Sequence, residues 1–310
     1  MMTARRLIGV LLCGSLSAAV PAGADVISDW NATMLSTVAA GPAGAGPSRV
    51  CEMAMVHIAM HDAVQAIQQR FETYSPGITP TTGSVIAAAS KAARDVLVNR
   101  FPEQTAALDA TYQAYLTAHQ LTASDPGVAA GAQAAAAIIQ GRVGDGSYPV
   151  PAPTFFGSTE IGKWRPTVNN AAGQPAPMAG SWLATMRTFA VRDSSQFFSG
   201  TPPQVTSSHY TAEYIEVKAL GRNVGSSRTP EQTAIAVFYS DAPPNYWNRT
   251  MQSLTQKYIT DVGDSARMFA LVNVGMADAI MTRGKPRFCT TSGVRVQRFN
   301  WETATAIAEP

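Results

Sequence analysis

Residues 265–281, SARMFALVNVGMADAIM, set the fold class of this chain. Met268, Phe269, Leu271, Val272, Met276 and Ile280 fall on nearly every face of a helix, so the element calls for neighbours on all sides. The stretch that follows, residues 282–310 (TRGKPRFCTTSGVRVQRFNWETATAIAEP), has the composition of neither a helix nor an ordinary loop.

Working back from this helix, with Asp264 as its expected cap, the chain keeps the same character. A helix is expected over 245–262, entered through the Pro243-Pro244 turn. Before it, RTPEQTAIAVFY carries the sharpest helix start in the chain: Thr229 as N-cap, Pro230 as first helical residue, Gln232 closing a capping box. Another helix is expected over 207–222. Further upstream, Ala-rich helices are expected over 84–101, 103–119 and 128–143, with Pro102 and Pro126 marking the breaks. Ser48 caps a long helix, SRVCEMAMVHIAMHDAVQAIQQR, in which Val50, Met53, Val56, Met60, Val64 and Ile67 make one apolar face. A short helix precedes it over 25–39. No alternating strand pattern of useful length occurs, so the expected class is all-α: helical bundles joined by a long Pro/Gly-rich loop. That loop, residues 145–180, is too long for an ordinary connection, and Phe155, Phe156 and Trp164 suggest that it packs on the scaffold.

The 310 residues are 46% hydrophobic and 14% charged, with net charge +2, which gives no electrostatic footprint for nucleic acid. No internal apolar run is long enough to span a bilayer, and a homo-oligomer is compatible with the composition. Residues 1–24 read as a secretory signal: Arg5 and Arg6, an apolar run from Leu7, and Ala22-Gly23-Ala24 before the cut. The competing reading is an anchor helix, for which the run is short. The mature protein is therefore expected to be exported, periplasmic or extracellular. Cys13 leaves with the leader, Cys51 reads as a small buried apolar residue, and Cys289 lies in the anomalous tail, so no disulfide framework is expected.

Candidate chemistry is sparse. His57 and His61, four residues apart, face the same way and are the candidate metal ligands. Ile58 stands where a zinc hydrolase needs Glu, and a hydrogen-bonded core pair is the simpler reading. Asp62 is read as orienting an imidazole or anchoring a backbone end, and His119 as structural at a helix end. Lys163-Trp164-Arg165-Pro166 has the residue types of an anion site, against a solvated pair beside a packed Trp. No phosphate-cradling loop, nucleophile elbow or paired-carboxylate motif is present. The residues alone assign no catalytic and no cofactor-binding side chain.

Several segments in order, HIAMHDAVQAI (57–67), GKWRPT (162–167), the passage from Trp182 to Pro203, YTAEYIEVKALGR (210–222), SSRTPEQTAIAVFY (226–239) and DAPPNYWNR (241–249), resemble bacterial vanadium-dependent haloperoxidase-like proteins. That superfamily is shared with type-2 phosphatidic-acid phosphatases. The resemblance covers residues 25–281 and implies an all-α scaffold that precedes a catalytic half. It implies peroxide-dependent halide oxidation on bound vanadate, or phosphate-ester hydrolysis, in the parent family. There a Lys before Trp-Arg-Pro, a Pro-Ser-Gly-His segment and a later Arg and His form an oxyanion cage. In this sequence the Lys of 163–166 stands too close to its Arg, Thr291-Ser292-Gly293 has no His after it, and no His follows His209.

Back-translating residues 281–310 and reading two nucleotides on, permitted codons spell DPWEAKVLYNFWRPGTAIQLGDGDGN, which resembles the Lys…Trp-Arg-Pro element the family places here. The expectation is a leader (1–24), a helical scaffold (25–281) and an out-of-frame tail (282–310), in a catalytically incomplete chain that binds no vanadate. The alternatives are a non-enzymatic helical binding module with a functional tail, and a metalloenzyme built on His57 and His61.

Overall fold

The structure, a computed structural model, describes residues 25–41, 49–159, 164–166, 173–192, 196–197 and 203–289, with side chains described as far as 282. The leader, Ser48, Lys163, Phe198 and the tail from 290 on lie outside these residues. Among those described, every regular element is a helix.

Helix α1 (Val26–Ala40) starts at Asp25, whose carboxylate accepts from the Ser28 amide at 2.8 Å. It lies on α2 (Arg49–Gln68), the axis of the molecule. Periodicity predicts one apolar face for α2, but every side chain from Val50 to Ala66 is buried. The reason is that α2 is packed by α1, α3, α5 and α9, so its small and polar positions are as enclosed as its large apolar ones.

Helix α3 (Val85–Arg100) is capped by Ser84, and α5 (Pro126–Gly141) by Asp125. Pro126 is thus the first turn of α5 rather than a break before it, a position where its missing N–H costs nothing. Asp125 Oδ1 accepts from both the Gly127 and the Ser84 amides (2.7 and 2.9 Å), so one carboxylate starts α5 and joins it to the start of α3. The two helices then run close. A Cβ on Gly127 would strike the Ser84 carbonyl, and one on Gly131 the Ala88 carbonyl. Helix α4 (Thr105–Ala118), after a 3₁₀ turn at Pro102–Gln104, covers α3 with Leu108, Tyr112 and Leu116 at four-residue steps.

The Pro/Gly-rich connection is irregular where described. Arg142 and Asp145 pair while buried (2.7 Å), and Arg142 also donates to the Thr188 carbonyl. Phe155 rests against Trp164, but Phe156 is exposed, so the three aromatic residues of this loop do not all pack as expected. A 3₁₀ turn at Ser181–Ala184 brings Trp182 and Leu183 into the core, with Met186 and Phe189 after it.

Helices α6 (Ser208–Leu220), α7 (Pro230–Phe238), α8 (Pro243–Tyr258) and α9 (Val262–Cys289) complete the chain. The capping box of Thr229 and Gln232 forms as expected. α8 begins at Pro243, two residues before the expected start, because both prolines fit a first turn. The cap of α9 is Asp261, whose Oδ1 accepts from the Asp264 amide at 3.0 Å. Asp264 itself is in the first turn, bonded to Arg70. Backbone helix persists to Cys289.

Candidate functional site: a buried Asn–His seam

His57 and His61 share a face of α2 but not a function in the fold. His61 Nε2 lies 3.1 Å from the Glu72 carbonyl oxygen. The neighbouring Asp62 accepts from the Tyr74 and Ser75 amides (2.7 and 2.9 Å), so it anchors a backbone end, while burial holds its carboxyl above the usual range. His57 is fully buried, stacked on Phe269 with centroids 5.0 Å apart. Among the described residues, no three His, Cys, Asp or Glu groups converge as a metal site would require.

What His57 meets instead is a chain of asparagines that sequence reasoning missed. Asn31 (α1), Asn248 (α8) and Asn273 (α9) are all fully buried. Asn31 Nδ2 lies 2.9 Å from His57 Nε2 and donates to Asn248 Oδ1 at 2.6 Å. Asn248 and Asn273 exchange reciprocal amide bonds, both 3.0 Å.

The direction of every bond is determined. Asn248 Nδ2 donates to the Pro244 carbonyl (2.8 Å) and Asn273 Nδ2 to the Phe269 carbonyl (2.9 Å). A carbonyl only accepts, so both amides are fixed in orientation. Asn248 then offers Oδ1 to Asn31, Asn31 must turn its Nδ2 that way, and His57 Nε2 must accept. His57 is therefore neutral with its proton on Nδ1, and desolvation lowers its pKa to about 3. His57 Nδ1 and Asn31 Oδ1 have no protein partner. The available signal was the polar residue inside an apolar pattern, as in LVNVG around Asn273.

A second buried carboxylate organises the other end. Asp278 of α9 accepts from the Phe189, Ala190 and Val191 amides at 2.6, 2.7 and 2.8 Å, and Tyr74 donates its hydroxyl to the Phe189 carbonyl. Arg142 lies over the Phe189 ring, 3.9 Å from its centroid. Segment 187–191 is thus held by α9, the Asp62-anchored loop and the end of α5 together. Of the 163–166 element, Arg165 is exposed beside the half-buried Trp164. His119 caps α4 against the Tyr115 ring. Cys51 is buried as expected, its thiol pushed up by desolvation.

This architecture is that of an all-α protein with the fold of the vanadium haloperoxidases. One solved structure that it resembles is a bacterial vanadium-dependent iodoperoxidase, with a TM-score of 0.62 and 19% sequence identity. The likeness covers 83% of this chain and 66% of that one, so this chain spans just under two thirds of its neighbour's length. No family model matches the chain, and no curated protein matches its sequence.

The residues described do not fit vanadate. An oxyanion needs several cations and a His turned to one point. Here Arg70 is engaged by Asp261 and Asp264, Arg94 by Asp95 and Asp109, Arg100 by Glu52, Arg142 by Asp145 and Arg249 by Asp241. The central His57 is walled by amides and an aromatic ring.

Proposed function

We propose that this chain is the N-terminal helical scaffold of an exported vanadium-dependent haloperoxidase-like protein and does no catalysis itself. The parent activity is peroxide-dependent halide oxidation, or phosphate-ester hydrolysis at an equivalent oxyanion cage. The fold likeness over 83% of the chain carries this reading. Two features support it. The cage residues are missing from the sequence, with no His after His209. The apolar surface is also uneven: among the described residues α6 and α7 bury no side chain, and Leu271 of α9 is 62% exposed, as faces shaped for further helices would be.

The tail from 282 is the out-of-frame trace of the Lys…Trp-Arg-Pro element. The coding DNA tests this directly: the alternate frame should encode that element with a Pro-Ser-Gly-His segment downstream, and a frame lacking both refutes it. Halogenation by the chain after incubation with vanadate and peroxide should stay at background, and turnover above it would overturn the assignment.

A second reading, a helical binding module, is favoured by the exposed Phe238, Tyr239 and Trp247, which form one aromatic cluster with Tyr246 across the α7–α8 turn. Under that reading the tail is functional, and residues 283–310 should resist limited proteolysis. Rapid trimming back to α9 favours the scaffold.

A further inference from the structure

Helix α8 is attached to the rest of the molecule by very little. Its buried side chains are Asn248, Met251 and Thr255, and two of these are polar. Thr255 meets Ser28 of α1 hydroxyl to hydroxyl at 2.9 Å. Asn248 is the hub of the seam, bonded at once to α1 through Asn31 and to α9 through Asn273. The ladder of fixed directions ends on His57 Nε2, which has to accept. We propose that the Asn31–His57–Asn248–Asn273 seam is an acid-sensitive latch: protonation of His57 at Nε2 turns the required acceptor into a donor, and α8 releases from the α1–α2 face while α2, α3 and α5 stay packed.

Asn31 cannot adapt by turning over. Its Oδ1 would then face Asn248 Oδ1, and Asn248 cannot turn in response, because its Nδ2 is held by the Pro244 carbonyl and Asn273. The latch therefore works as one unit rather than as separable bonds. It is also incompletely satisfied, with His57 Nδ1 and Asn31 Oδ1 lacking protein partners, which narrows the margin by which the closed state wins. The elements held elsewhere are different in kind. α3 and α5 meet through alanines and glycines at close approach.

Among the described residues, no opposite charge is placed to hold protonated His57 in the closed seam. On α1, Asp29 accepts from Tyr115. On α8, Arg249 pairs with Asp241, and Lys257 lies over Tyr258. On α9, Asp264 pairs with Arg70, Arg267 lies over Phe71, and Asp278 is taken by three backbone amides. On α3, Lys91 and Arg94 bond Asp95, and Arg100 reaches Glu52 of α2. On α2 itself, His61 and Asp62 serve the 72–75 loop, and α5 carries no charged residue. Because burial lowers the His57 pKa to about 3, the closed state is fully favoured above the ordinary value of 6.5 and loses ground as pH falls from there towards 3.

Hydrogen exchange followed by mass spectrometry, corrected for the intrinsic pH dependence of exchange, reads this on the full chain. The opening of α8 relative to α3 should rise by up to about tenfold per pH unit below pH 6.5. In His57→Gln, which can still offer an oxygen to Asn31 but does not titrate, that rise should vanish. Parallel loss in α3 and α5, an α8 indifferent to pH, or an unchanged acid response in His57→Gln would each overturn the latch. If the variant does not fold, the nitrogen shifts of the wild-type His57 ring decide: an unprotonated Nε2 at neutral pH is required, and a protonated one contradicts the scheme.

Discussion

Gly131 shows how tightly single residues are specified. Its Cα faces the Ala88 carbonyl oxygen with no room for a side chain, and the obstacle is backbone, which cannot rotate away. Gly131→Ala should therefore destabilise the protein by about 2 kcal/mol. Gly141, at the end of the same helix, has open space where a Cβ would stand. Gly141→Ala should be neutral or stabilising by about 0.5 kcal/mol through the unfolded chain. Denaturant midpoints of the two variants check the contrast, and equal effects would mean that α3 and α5 are not in the close contact described.

At the scale of the element, α7 has a complete capping box and no buried side chain. Its stability is local. Thr229→Ala should weaken α7 by about 1 kcal/mol. The loss should appear as faster amide exchange within residues 230–238, with the global thermal midpoint unchanged. A lowered global midpoint would show that α7 is coupled to the core. Elements such as this were legible because their signals are local: Thr229, Pro230 and Gln232 are neighbours in sequence. The starts of α5 and α8 lie two residues ahead of the expected ones, because the prolines that read as boundaries form the first turn. The reading of α2 failed for another reason. An apolar stripe reports one buried face, and nothing in a single sequence reports that α5 and α9 enclose the others. The Asn seam was hidden likewise, since Asn31 and Asn248 lie 217 residues apart and each looks unremarkable in its own helix.

For the whole molecule, α1, α3, α5 and α9 build the core around α2, and the later helices also present apolar and aromatic side chains outward. The helix at 265–281 expresses both halves of this. Ala266, Phe269, Asn273, Ala277 and Met281 face inward, while Met268, Val272, Met276 and Ile280 are only partly buried and Leu271 is exposed. Its sequence reads as enclosed on all sides, and the fold as described encloses one. Under the proposed function, those faces belong to a haloperoxidase-like scaffold whose described residues offer no oxyanion site. Equilibrium titration of the purified chain with orthovanadate tests that most directly. The account predicts no stoichiometric binding at any concentration below the millimolar range. Saturable one-to-one binding, abolished when phosphate competes, would contradict it.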